Sequence, residues 1–269
     1  MMKLENKLAI VTGGGGGIGR GIVRCLAEEG AHVVIADVDV KRATEVAEEV
    51  MVLGRRPLVV EADVTKMPHA QHVVDQALAV LGKIDILVNN VGGGLTGERP
   101  MGFLAELDEI DWDTTYEVDM KSQFFMCKAV VPHMISCRYG KIVNMSSIGA
   151  KYGMEMMAPY CAMKGAVIAF TMTLARELAR YSINVNCICA GLIYTPLWET
   201  VATKIYKRLP RFANMEPREV FDWFVRTSVP LKREQTPEDI GHAVVFLASE
   251  DSNNITGESL DVGGGILMG

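Results

Sequence analysis

The sequence predicts an α/β protein: a doubly wound parallel sheet of about seven strands, helices on both faces and one helical insertion near the end. Three observations lead there. Short apolar runs recur at strand length, segments of helical periodicity separate them, and the first run passes straight into glycines that open a helix.

In order, Leu8–Thr12 is the first strand, and Arg20–Glu29 the amphipathic helix after its glycines. His32–Asp37 is a β-branched second strand, followed by the helix Arg42–Val52. Pro57–Glu61, His69–Leu81 and Ile84–Asn89 repeat the alternation. Trp112–Ile135 reads as one long helix, Lys141–Ser146 as a strand, Tyr160–Arg180 as a helix opened by Pro159, and Ile183–Ala190 as a strand. The strands are near-continuous apolar runs, as expected when helices cover both faces. Thr195–Val229 holds no strand candidate but two short helical patterns, separated by Leu209-Pro210 and by Asn214-Met215-Glu216-Pro217. An insertion of this kind is expected to lie over a binding site as a lid. No Pro/Gly/Ser-rich linker divides the chain, so residues 1–269 read as a single domain.

Composition narrows the function. With 49% hydrophobic and 22% charged residues the chain is neither disordered nor a disulfide scaffold. Its net charge of −6 argues against a nucleic-acid partner, which calls for a basic excess. No uninterrupted apolar run approaches the ~20 residues of a membrane span, and residues 1–13 lack the apolar region of a secretory signal. A cytoplasmic protein without a membrane partner is expected. The six cysteines show no CxxC and no Cys/His cluster at zinc spacing, so they read as reduced buried thiols, and no metal is expected.

Thr12-Gly13-Gly14-Gly15-Gly16-Gly17-Ile18-Gly19 joins the first strand to the first helix. Glycines there let backbone N–H groups approach a pyrophosphate at the positive end of the helix. Asp37 ends the second strand, where a carboxylate accepts hydrogen bonds from ribose hydroxyls and repels a 2′-phosphate. No base stands at Gly16 or Val38 to neutralise such a phosphate, so the expected cofactor is NAD and not NADP.

Ser147 follows the fifth strand, and Tyr160 and Lys164 lie four apart on one helix face. A nearby ammonium favours the phenolate and is expected to draw the Tyr160 pKa down toward neutrality, where it exchanges a proton with an alcohol/carbonyl pair.

With these residues in view, the sequence resembles the short-chain dehydrogenase/reductase family from about Lys7 to Gly265. Thr12-Gly13-x-x-x-Gly17-Ile18-Gly19 is similar to its cofactor loop, and Asp63, followed by Val64, to its adenine-contacting acid. Asn89-Asn90-Val91-Gly92 is similar to its Asn-Asn-Ala-Gly motif, and Ile193 and Thr195-Pro196 to its nicotinamide-contacting turn. Thr236-Pro237-Glu238-Asp239-Ile240 and Thr256-Gly257 look like its C-terminal signature. The resemblance implies a Rossmann-like fold and a homotetramer or homodimer. It also implies NAD-dependent interconversion of a secondary alcohol and a ketone without metal. In that scheme Ser147 holds the substrate oxygen, Tyr160 exchanges the proton, and Lys164 binds the nicotinamide ribose and tunes Tyr160.

The sequence departs from the family at the fourth catalytic position, where Asp119 stands for the usual Asn. In relatives that Asn helps hold a water linking the catalytic Lys to solvent. A carboxylate cannot donate to such a water, and its charge raises the pKa of Lys164. The resemblance places substrate contacts in Gly93–Pro100, in Ile148–Ala158 and from Leu192 onward. Met154, Met156 and Met157 suit an apolar, irregular substrate. Lys204, Lys207, Arg208 and Arg211 fall at helical spacing, a basic face that can hold a carboxylate or the phosphates of a coenzyme A thioester. Leu192-Ile193-Tyr194-Thr195-Pro196-Leu197-Trp198 resembles the diol and acetoin dehydrogenases of the family, placing Trp198 among the substrate contacts and keeping a small diol open. A non-catalytic NAD-binding subunit is the remaining alternative, motivated by Asp119.

Overall fold

A computed structural model of the chain describes residues 2–93 and 102–268. The elements in chain order are β1 (Leu8–Thr12), α1 (Gly17–Glu28), β2 (His32–Asp37), α2 (Val40–Val52), β3 (Pro57–Glu61), α3 (Met67–Leu81) and β4 (Ile86–Asn89). They continue with α4 (Glu109–Tyr116), α5 (Ser122–Cys137), β5 (Gly140–Ser147), α6 (Gly149–Tyr152), α7 (Ala158–Leu178), β6 (Ile183–Ala190), α8 (Pro196–Lys204), α9 (Pro217–Ser228), α10 (Pro237–Ala248) and β7 (Ser259–Val262). The seven strands form one parallel sheet in the order β3-β2-β1-β4-β5-β6-β7. The direction of winding reverses between β1 and β4, and the carboxyl ends of strands at such a switch point form a ligand crevice.

Each sheet face has its own core. On one, Ile22 and Leu26 of α1, Val46 of α2, and Ile240 and Val244 of α10 pack on Val11, Ile35 and Val88. On the other, Val73 and Ala77 of α3, Val130 and Met134 of α5, and Leu178 of α7 cover Ile10, Val34 and Leu87. Residues buried in both cores alternate along single strands, which is why those strands read as continuous apolar runs. A third cluster lies in the insertion, where Trp198, Tyr206, Phe212 and Phe221 pack with Met156, Met157 and Leu192.

The long helix expected over Trp112–Ile135 is two helices, α4 and α5, joined by one π-helical turn, Glu117–Lys121. Such wider turns recur at functional sites, and this one carries Asp119. Helix α7 with the turn after it, Ala158–Tyr181, is long and apolar enough to cross a membrane, which the sequence reading did not anticipate. Here it packs on β5 and β6 with its own Lys164 buried. All six cysteines are free, but Cys137 is exposed and Cys161 half-buried, so the expectation of buried thiols holds for four of them.

Candidate active site

The glycine loop sits at the switch point. Gly13 and Gly17 have φ of 63° and 51°, the left-handed region that favours glycine. A side chain at Gly19 would overlap the Gly13 carbonyl. The loop is clasped from β4: the Asn90 side-chain amide donates to the Thr12 and Gly13 carbonyls at 3.0 and 3.1 Å, and Thr12 Oγ1 accepts from the Asn90 amide at 3.0 Å. Helix α1 starts without a side-chain cap and without an acid in its first turn. Its unpaired N–H groups and positive dipole end therefore face the crevice, which fits a pyrophosphate. Asp37 is tied to the same loop, accepting from the Gly15 amide at 2.8 Å.

Asp63 lies beyond β3, where its carboxylate accepts from the Thr65 amide and hydroxyl at 3.0 and 2.6 Å. Burial opposes its charge, but these hydrogen bonds hold it below the usual carboxylate range. Val64 is buried in the adjoining core.

Ser147, Tyr160 and Lys164 converge on a cavity of about 150 Å³ at the carboxyl ends of β4, β5 and β6. Ile18, Asn90, Ile193 and Thr195, expected to meet the cofactor, line it, and so do Met154, Met157 and Trp198, expected to meet the substrate. Thr195 also caps α8, accepting from the Trp198 amide at 3.3 Å. Of the expected substrate segment Gly93–Pro100 only Gly93 is described, and it lines the cavity; 94–100 lie outside the described residues.

Lys164 is held from two sides. Its Nζ lies 2.9 Å from Oδ1 of Asp119 and donates to the Met145 carbonyl at 3.1 Å. Burial works against its charge, yet Asp119 and Tyr160 raise its pKa above the usual lysine value. Tyr160 departs from expectation. Burial raises its phenol above the ordinary value, and the charge of Asp119 adds to that, although Lys164 and Ser147 pull the other way.

The basic residues of the insertion do not share a helix face as the spacing suggested. Helix α8 ends at Lys204, and Tyr206–Arg208 and Pro210–Phe212 form separate 3₁₀ turns. Pro210 opens the second of these turns, where its missing N–H costs nothing. Arg208 pairs with Glu106 at 2.6 Å, and Arg211 stacks over the Phe212 and Trp223 rings at 4.6 and 5.2 Å. The sequence reading missed Gln123, whose side-chain amide donates to the Asp119 and Met145 carbonyls, both at 3.1 Å. Its place one helical turn after Asp119 was the available signal. Among the described residues no cluster of three His, Cys, Asp or Glu is arranged to hold a metal ion.

Comparison with known proteins identifies the family. Residues 14–267 match the family model described as Enoyl-(Acyl carrier protein) reductase. Galactitol 2-dehydrogenase of Agrobacterium fabrum is 37% identical, covering 99% of this chain and 100% of its own. The (2S)-[(R)-hydroxy(phenyl)methyl]succinyl-CoA dehydrogenase subunit BbsD of Thauera aromatica is 36% identical over 98% of both chains. The solved structure of levodione reductase superposes with a TM-score of 0.88 at 26% identity, covering 97% of this chain and 98% of that one. The chain belongs to the short-chain dehydrogenase/reductase family, nicotinamide-dependent oxidoreductases that act on CH–OH groups.

Proposed function

We propose that this chain is an NAD-dependent oxidoreductase interconverting a secondary alcohol and a ketone, with Tyr160 as the acid/base. The convergence of Ser147, Tyr160 and Lys164 on one cavity beside the glycine loop carries this reading. The bound nicotinamide supplies or accepts the hydride. Tyr160 gives its phenolic proton to the substrate oxygen in reduction and takes it back in oxidation, while the Ser147 hydroxyl hydrogen-bonds that oxygen. Lys164 has three N–H bonds. Asp119 and Met145 take two, leaving one for a ribose hydroxyl of the cofactor. Asp37, fixed at the mouth of the loop, selects NAD. Residues 195–229 form the lid, and Met154, Met157 and Trp198 contact the substrate. Screening NADH formation over secondary alcohols sorted by size and charge tests the reading. Binding of NAD without turnover of any alcohol would favour a non-catalytic subunit instead.

One observation favours a longer, anionic substrate over a small diol. A second cavity of about 470 Å³ shares Ile148, Met154 and Leu192 with the first. Tyr152, Tyr206 and Phe224 line it, with Arg211 and Glu155 as its charged groups. Arg211 has no carboxylate partner among the described residues, so it is available to a substrate carboxylate or thioester phosphate. Replacing Arg211 with Ala should raise KM for acidic substrates and spare neutral ones of equal length; equal losses on both refute this assignment.

The assembly we propose is a homodimer or homotetramer. Ile110, Trp112 and Tyr116 of α4, Phe124 of α5 and Met172 of α7 are exposed on helices that pack together, an apolar face suited to a second copy of the chain.

A further inference from the structure

The ion pair between Asp119 and Lys164 stands where the family resemblance implies a water. The Asp119 side chain is fully buried, and its Oδ1 serves two partners, Lys164 Nζ at 2.9 Å and the Gly93 amide at 2.7 Å. Its backbone carbonyl is also engaged, accepting from Gln123. The wide turn Glu117–Lys121 and the absence of a side chain at position 92 permit this arrangement. A Cβ on Gly92 would lie 2.6 Å from Lys164 Nζ and 2.8 Å from Asp119 Oδ1.

We propose that Asp119 is a positioning residue. Through one buried carboxylate oxygen it fixes the Lys164 ammonium and the Gly93 amide, and it sets the pH at which the Tyr160–Lys164 pair loses its proton. The inference rests on the proposed acid/base role of Tyr160. A proton leaves a site more readily when a neighbouring negative charge is removed. The groups facing the pair are Asp119 from the π-turn, Ser147 from β5, Cys161 beside Tyr160 on α7, and Cys189 from β6. Asp119 is the carboxylate among them. Because Tyr160 and Lys164 interact, the first proton is lost by the pair and not by one residue alone.

The test is the pH dependence of kcat/KM for wild type and Asp119→Asn, in both reaction directions. Oxidation needs the deprotonated pair and rises with pH; reduction needs the protonated pair and falls. In Asp119→Asn both limbs should move to lower pH by about one unit or more. A uniform fall in rate with unmoved limbs overturns the proposal, since that is what loosened packing alone would give. Should the variant fail to fold, Gly92→Ala, whose Cβ would press on both Lys164 Nζ and Asp119 Oδ1, disturbs the same ion pair without removing either partner. Limbs moved to lower pH in that variant support the proposal, and unmoved limbs overturn it. A wild-type chain with no turnover that gains it on Asp119→Asn would sink the proposed function itself, a result distinct from unmoved limbs.

Discussion

The Gly15 amide donates to Oδ2 of Asp37 across 2.8 Å, while Oδ1 of the same carboxylate accepts from the Asp39 amide at 3.0 Å. The carboxylate is thereby fixed at the loop proposed to hold a dinucleotide, and a Cβ at Gly15 would stand 2.9 Å from it. Bringing a phosphate against a fixed, partly solvated charge costs about 3 kcal/mol, roughly a 100-fold discrimination. Steady-state kinetics should show kcat/KM favouring NAD over NADP by that order. Asp37→Ser combined with Val38→Arg should narrow the gap or reverse it. Equal use of both cofactors by the wild type would refute the role given to Asp37.

Tyr160→Phe removes one oxygen from a residue that lines the cavity without altering its ring. Turnover should fall by about 10²- to 10⁴-fold, the usual worth of a positioned acid/base. NAD affinity, followed by fluorescence titration, should change little. A variant retaining a tenth or more of wild-type turnover would remove Tyr160 from the chemistry.

The sheet was legible because its strands are covered on both faces, which leaves the apolar runs of β1, β2 and β6 plain in the sequence. β7 is only four residues, Ser259–Val262, with alternating polarity, and escaped individual notice. The candidate trio was legible because Tyr160 and Lys164 share a helix and Ser147 ends a strand. The direct contact of Asp119 with Lys164 was not, because no local pattern announces the π-turn that carries Asp119. The stripe from Lys204 to Arg211 misled because spacing alone does not reveal that α8 ends at Lys204 and gives way to two 3₁₀ turns.

Lys141 is buried as the second residue of β5, where its Nζ donates to Asn253 Oδ1 at 2.8 Å. Burial depresses its pKa from 10.5 to about 8. Between those values the unfolded chain holds a proton that the folded chain has released, so stability should rise with pH across that window. Below about pH 8 both states are protonated and the folded state carries the whole penalty, at most about 3 kcal/mol. Lys141→Met should therefore be more stable than wild type at pH 7 and lose that advantage toward pH 10.5. Chemical denaturation at the two pH values checks this, and a lower stability of the variant at both would contradict it.

Helices α1 and α10 meet at two glycines. A Cβ on Gly21 would lie 2.5 Å from Pro237 Cβ, and one on Gly241 2.6 Å from Cys25 Sγ. Gly241→Ala should force the helices apart and destabilise the fold by about 1–3 kcal/mol. Unchanged thermal denaturation would show that the helices part freely.

Trp198 is 7% exposed and lines the candidate substrate cavity, yet its buried indole Nε1 has no hydrogen-bond partner among the described residues. An unpaired buried donor costs about 1–3 kcal/mol, so the N–H is an expense unless a bound molecule supplies the acceptor. The ring has a separate task, packing against Tyr206, Phe221 and Phe224 with centroids 5.8, 5.2 and 5.7 Å away. Phe at this position keeps the ring contacts and deletes the donor, so Trp198→Phe should match or exceed wild type in thermal stability. Its KM for an oxygen-rich substrate should rise about tenfold, the worth of one hydrogen bond, while KM for NAD stays unchanged. Trp198→Ala should instead destabilise the fold by about 3–5 kcal/mol, separating the two tasks. If Trp198→Phe binds every active substrate as tightly as wild type, the indole N–H has no part in recognition and the aromatic packing alone accounts for the residue.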